Sequence, residues 1–203
     1  MRDVLRGVTS LYNPLGFYSP LTTSGKIFLQ DLHKEKMKLD EVMSTVNLER
    51  WKEIVSAITK AVQHQLMSQP RHYFPSSSSD RELHVFCDAS RRAYGAVAYL
   101  QHKGKGAFVI AKSRVAPLKN EKKEGEREIS IPEAELMAAF IGTLIAETVL
   151  AALELQEFKT QGYLWSDSQI VHFFISKSEG HPRQFIINRV KNIRDFNRRR
   201  AAT

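Results

Sequence analysis

Three runs that alternate in polarity, Glu82 to Asp88, Tyr94 to Leu100 and Ala107 to Ser113, follow one another with only turn-forming residues between them. Ser90-Arg91-Arg92 lies in the first gap and Lys103-Gly104-Lys105-Gly106 in the second. Period-two alternation is strand patterning, and gaps this short join strands as hairpins, so the segment predicts an antiparallel meander. In the first run Leu83, Val85 and Cys87 share one face and His84, Phe86 and Asp88 the other, which leaves a carboxylate at the strand's carboxyl end. Open α/β sheets place their chemistry at that end.

Beyond the meander the chain continues into a layered fold. Lys119 to Glu128 is almost wholly charged with both signs mixed, and reads as an exposed loop. Pro132 suits a first helical turn, and Leu136, Phe140, Ile141, Leu144, Ile145 and Val149 cover more than one face of the helix after it, which predicts a largely buried helix. Tyr163-Leu164-Trp165 reads as a fourth strand ending at Ser166-Asp167-Ser168, and Ile170, Phe173 and Phe174 open a further helix. The order βββαβα predicts a mixed α/β layer with helices on the sheet faces.

Ahead of the meander the pattern is helical. Leu11 to Leu21 is apolar but broken by Pro14, Gly16 and Pro20, which predicts an irregular lead-in, with Thr22 or Thr23 as a helix cap. Ile27, Phe28, Leu32 and Met37 then mark an amphipathic helix from Lys26 to about Leu39. Leu48, Trp51, Ile54, Val55, Ile58, Val62 and Leu66 form a second stripe at steps of three and four after Asn47. Pro70, Pro75 and Ser76 to Ser79 break the composition. The chain therefore divides into a helical segment over 1–75, a linker over 76–81 and an α/β domain over 82–203.

A chain of 203 residues suffices for one good core and a smaller second unit. Its formal charge of +8 is concentrated in the segment from His181 to Thr203, where seven Lys and Arg meet one acid, Asp195. That favours a polyanionic partner, nucleic acid before membrane, against the plainer reading of a solvated helix face. The single cysteine, Cys87, excludes an internal disulfide and fits a reducing compartment. The opening Met1-Arg2-Asp3-Val4-Leu5-Arg6 has no apolar signal core, and no window offers ~18–20 uninterrupted apolar residues. The expectation is a soluble, intracellular, cytoplasmic protein without a membrane partner.

Asp88, Glu135 and Asp167 are the candidates for chemistry. If the fourth strand lies parallel to the first, the two aspartates meet at one sheet end, and the start of the long helix adds the glutamate. Like charges brought together need a cation, and an all-oxygen set suits Mg²⁺, with Mn²⁺ as a substitute. Each residue also has an ordinary use: Asp88 in a turn, Asp167 as a helix cap, Glu135 as a first-turn glutamate favoured by the helix dipole.

The stretches Phe86-Cys87-Asp88-Ala89-Ser90 with Tyr94-Gly95-Ala96-Val97, Ala134-Glu135-Leu136-Met137-Ala138-Ala139, and Trp165-Ser166-Asp167-Ser168-Gln169 resemble the ribonuclease H family. More narrowly, Ala111 to Lys119, Pro182-Arg183-Gln184-Phe185 with Asn188-Arg189-Val190, and the early Tyr12-Asn13-Pro14-Leu15-Gly16, Ser19-Pro20 and Trp51 resemble the Pol polyprotein of Bel-Pao retrotransposons, the Pao retrotransposon peptidase family. The resemblance implies a ribonuclease H-like domain over 82–203, preceded by a reverse transcriptase thumb or connection segment. It implies cleavage of the RNA strand of an RNA–DNA hybrid by two Mg²⁺ ions held by Asp88, Glu135 and Asp167. Ser168, Gln169, Arg91, Arg114, Arg183 and Arg189 are the implied nucleic-acid contacts, and the upstream polymerase region a further partner.

Departures from the family pattern bound that reading. The family's fourth acidic ligand stands in a later helix, and the sequence ends before a matching motif, so a C-terminally truncated domain is expected. There is no Tyr-x-Asp-Asp signature for polymerisation, and no Asp-Thr/Ser-Gly for proteolysis, since Thr23-Ser24-Gly25 lacks the acid. Glu133 stands where the Bel-Pao pattern has a basic residue. Positions i and i+2 of a helix point apart, so only one of Glu133 and Glu135 can join Asp88, and the following Leu-Met-Ala favours Glu135. The alternative to a metal-dependent hydrolase is a catalytically inactive nucleic-acid-binding or scaffold remnant of a retrotransposon.

Overall fold

A computed structural model describes residues 1–64, 74, 81–118, 128–154, 160–177 and 183–201, the side chains of residues 200 and 201 excepted. The expected linker over 76–81, Arg81 apart, and the charged loop, Glu128 apart, lie outside the described residues. The chain forms two compact units, Met1–Arg71 and His72–Thr203.

The first unit holds three helices: α1 (Arg2–Ser10), α2 (Ser19–Lys34) and α3 (Thr45–Gln63). Val4, Val8, Phe28 and Leu32 are its buried centre, with Trp51 stacked on Phe28 at 5.8 Å between ring centroids. Two boundaries differ from the sequence reading. Helix α2 begins at Ser19, so Pro20 lies in its first turn, where a missing N–H costs nothing, and Thr22 is buried within the helix rather than capping it. It ends at Lys34, five residues early, because Lys36 takes a left-handed φ of 57° and turns the chain. Helix α1 was not expected; its signal is only the i, i+4 pair Val4 and Val8. Ser44 caps α3, its hydroxyl accepting from the Asn47 N–H at 3.2 Å. Trp51 and Ile54 pack inward while Val55 and Val62 remain exposed; Leu66 lies outside the described residues.

The second unit is built on four strands: β1 (Arg81–Ala89), β2 (Ala93–His102), β3 (Lys105–Val115) and β4 (Thr160–Trp165), in the order β3-β2-β1-β4. The first three form the expected antiparallel meander, and β4 lies parallel to β1. Lys103 and Gly104 both have positive φ, as a two-residue hairpin turn requires. Leu83, Val85 and Cys87 stand opposite Leu100, Ala98 and Ala96 on the buried face. Helix α4 (Ile131–Glu154) packs on that face through Ala134, Ala138, Ile141 and Ile145. Gly142 allows the close approach: a Cβ there would overlap Cys87 Sγ and stand 2.8 Å from Leu164 Cδ1.

The fold continues one helix beyond βββαβα. Helix α5 (Gln169–Lys177) is followed by α6 (Gln184–Ala201), so the basic segment is a helix with an apolar side. Leu136 and Ala139 of α4 pack against Val171, Ile186, Val190 and Ile193. Sheet on one side and α6 on the other explain why α4 is apolar nearly all round. By length and composition alone α4 could cross a membrane; here thirteen of its residues are buried inside the fold.

Candidate metal centre

The parallel β1–β4 ladder closes on the pair Phe86 and Trp165. Asp88 and Asp167 each stand two residues further along, so register alone brings them to the same sheet end. The Trp165 Nε1–H donates to His84 Nδ1 at 3.1 Å, and the Phe86 and Trp165 rings stack at 6.3 Å, tying the two strands just below the carboxylates. Glu135 comes from the second turn of α4. An oxygen from each of Asp88, Glu135 and Asp167 lies within 4.8 Å of the other two. Both aspartates are exposed at the rim and Glu135 is half-buried beneath them.

The ordinary uses of these residues are taken by their neighbours. The β1–β2 turn belongs to Ser90: its Oγ accepts from the Arg92 N–H at 3.2 Å and the Ala93 N–H at 3.1 Å, and its N–H donates to the Ala93 carbonyl at 2.8 Å. Asp88 Oδ1 accepts the adjacent Ala89 N–H at 2.7 Å, its one hydrogen bond among the described residues. The cap of α5 is Ser168, whose hydroxyl accepts from the Val171 N–H at 3.4 Å, leaving Asp167 free to face the cluster. The start of α4 is held by Glu133, with Oε2 accepting from the Ser130 N–H at 2.9 Å and the Ser130 hydroxyl at 2.7 Å.

Electrostatically the cluster is under tension. Glu135 Oε2 is buried and has no hydrogen-bond partner among the described residues. Burial first, then the charges of Asp88 and Asp167, push the Glu135 carboxyl above the ordinary carboxylate range. Burial, with Glu135 nearby, drives the Cys87 thiol up to about 12, so Cys87 is a core side chain and no nucleophile near neutral pH. An orphaned, buried carboxylate oxygen beside two further carboxylates fits a hard divalent cation: all the donors are oxygen and all carry charge. Among the described residues this is the one group of three side chains so arranged.

The other expected contacts separate into two kinds. Arg91, in the turn beyond Asp88, and Arg114, on β3, are exposed. Gln169 is exposed at the start of α5, next to Ser168. Arg183 pairs with Glu133 at 3.1 Å, and Arg189 is half-buried with its guanidinium 4.2 Å from the Phe185 ring centroid and 6.0 Å from that of Phe140. The roles of Ser130 and of the His84–Trp165 bond went unread in the sequence. Ser130 and Glu133 have the spacing of a capping box, which was there to be found; a cross-strand His–Trp bond leaves no local pattern.

Residues 1–168 match the model of a family described as Pao retrotransposon-like RNaseH-like domain. Among solved structures, the chain is similar to one described as the foamy viral protease-reverse transcriptase dRH in complex with ds DNA. That likeness has a TM-score of 0.45 at 14% identity, over 98% of this chain and 33% of the other, so this chain spans about a third of that protein's length. No curated protein matches it.

Proposed function

Because the chain belongs to the family of Pao retrotransposon-like RNaseH-like domains, we propose that it hydrolyses the RNA strand of RNA–DNA hybrids in a Mg²⁺-dependent reaction, as one part of a retrotransposon polyprotein. The observation that carries this reading is the convergence of Asp88, Glu135 and Asp167 around an unpartnered Glu135 oxygen. Residues 82–203 act as the ribonuclease H-like domain, and residues 1–75 as a segment of the reverse transcriptase thumb or connection kind, joined through 76–81.

Asp88, Glu135 and Asp167 hold the metal, and Mn²⁺ serves in place of Mg²⁺. Bound there, one or two such ions supply an activated water and stabilise charge on the leaving oxygen. The protein's own part is placement. The exposed aspartates leave the rim open to a phosphodiester, while Glu135 closes the floor. Arg91 and Arg114 approach phosphates of the duplex, with Ser168 and Gln169 near the cut strand, whose 2′-hydroxyls distinguish RNA from DNA. Arg189 and Arg183, already engaged within the fold, contribute to the basic surface of α6 rather than to a point contact.

The test is cleavage of an end-labelled RNA–DNA hybrid by the purified chain with Mg²⁺ or Mn²⁺, beside the Asp88→Asn and Asp167→Asn variants. Cuts in the RNA strand that both substitutions reduce at least about a hundredfold are expected. Binding without cutting would leave the scaffold reading instead, and equal cutting by all three proteins would assign the activity to a contaminant.

A further inference from the structure

Two glutamates stand two positions apart at the start of α4, and their side chains lead in opposite directions. Glu135 turns to the carboxylate cluster. Glu133 is buried, its side chain 7% exposed, and a carboxylate that deep requires donors. It has the Ser130 N–H, the Ser130 hydroxyl and Arg183 Nη1, at 2.9, 2.7 and 3.1 Å. Arg183 immediately precedes α6, and its carbonyl accepts the Ile186 N–H at 3.0 Å. The Glu133–Arg183 pair therefore clamps the start of α4 to the start of α6. At the other end Arg199 pairs with Glu147, so the two helices run side by side in the same direction.

We infer that Arg183, acting through Glu133, is a positioning residue for Glu135. The inference rests on the metal-site reading proposed above. The buried oxygen of Glu135 has no hydrogen-bond donor among the described residues, so the orientation of α4 sets where that carboxylate stands. Rotating the helix by about 20° sweeps a carboxylate roughly 6 Å from its axis through about 2 Å. Metal sites hold ligand distances to within about 0.2 Å. A clamp two residues away decides whether Glu135 reaches the cluster.

Charge alone makes the opposite forecast, which gives the test its edge. Arg183 is a cation on the side of an acidic site, so deleting it should tighten cation binding if electrostatics were its whole effect. Loss of positioning should weaken it. Mn²⁺ is titrated calorimetrically into the full chain at a temperature where circular dichroism shows every variant folded. Arg183→Met is expected to bind Mn²⁺ about tenfold or more weakly, in the range known for residues that orient metal ligands. The double variant Glu133→Gln with Arg183→Met lacks the same clamp without stranding a buried charge, so it is expected to bind Mn²⁺ as weakly as Arg183→Met, to within about threefold. Leu150→Val, at the far end of α4, is expected to lower the melting temperature and leave Mn²⁺ affinity unchanged. Where Arg183→Met does not fold, Arg183→Lys replaces it, with about threefold weaker binding expected from the lost planar fork.

Wild-type affinity or tighter in the Arg183 variant overturns the inference, and so does recovery of wild-type affinity in the double variant, which would assign the loss to a stranded charge rather than to the clamp. If the wild type itself does not bind Mn²⁺, or Asp88→Asn binds it equally well, the metal-site reading has failed and the inference goes with it. The two failures are therefore distinguishable.

Discussion

Phe86 and Trp165 are the last Cα partners of the parallel β1–β4 ladder, and Asp88 and Asp167 stand equally far beyond that shared rung. The meeting of the two aspartates is thus a consequence of register. A one-residue slip of β4 would turn Trp165 and Asp167 to the other face and dissolve the cluster.

Neutralising one rim carboxylate relieves repulsion that a metal would otherwise relieve. In metal-free buffer, Asp88→Asn is expected to raise the melting temperature by roughly 1–3 °C, a small step because Asp88 is solvated. Mg²⁺ is expected to stabilise the wild type, and the same variant is expected to lose most of that stabilisation. Differential scanning calorimetry with and without Mg²⁺ measures both, and a metal-free destabilisation by Asp88→Asn would contradict the mutual repulsion.

The raised Glu135 carboxyl has a defined pH signature. A carboxyl that holds its proton more tightly in the native state than in the unfolded chain favours folding while protonated. That advantage declines as pH rises from the unfolded-state value, about 4.3, through the higher native one. Metal-free wild type should lose stability across this window relative to Glu135→Gln, and Mg²⁺ should stabilise more at about pH 8 than at about pH 5, where protons compete. Parallel pH profiles for the two proteins would contradict the raised carboxyl.

Gly142 sets how closely α4 lies on the sheet. Gly142→Ala gains about 1 kcal/mol in helix propensity but forces a methyl against Cys87 Sγ, and overpacking costs about 1–3 kcal/mol. Net destabilisation in urea unfolding is expected, partly recovered by adding Cys87→Ala, which opens the space. Unchanged or higher stability of Gly142→Ala would show that α4 can lift off freely.

The exposed and the engaged arginines should behave differently. Arg91→Ala and Arg114→Ala are each expected to weaken hybrid binding and lower the salt slope by about 1. Arg189→Ala is expected to act on stability first, through the lost contacts with Phe185 and Phe140. Fluorescence anisotropy over a salt series, beside melting curves, separates these effects. An Arg189 variant with wild-type stability and a reduced slope would make it a phosphate contact after all.

The legible parts of this chain were those written in local periodicity. Alternation in 82–88, 94–100 and 107–113 marked β1 to β3, and the apolar sweep from Leu136 to Val149 marked the buried helix. The three carboxylates were found through motif resemblance, each alone being open to an ordinary explanation. What escaped depends on contacts across sequence: the Glu133–Arg183 clamp spans fifty positions, and the His84–Trp165 bond eighty-one. The early start of α2 is hidden for a different reason: in the sequence Pro20 has the look of a breaker, whereas in the fold it opens the helix.

The proposed metal centre requires Asp88, Glu135 and Asp167 to share one divalent cation. Its most direct test is a crystal of the full chain grown with Mn²⁺ and measured at the manganese absorption edge. An anomalous peak about 2.0–2.3 Å from oxygens of all three carboxylates is the predicted result. Ordered carboxylates with no anomalous density between them, at a Mn²⁺ concentration that supports hybrid cleavage, would contradict it.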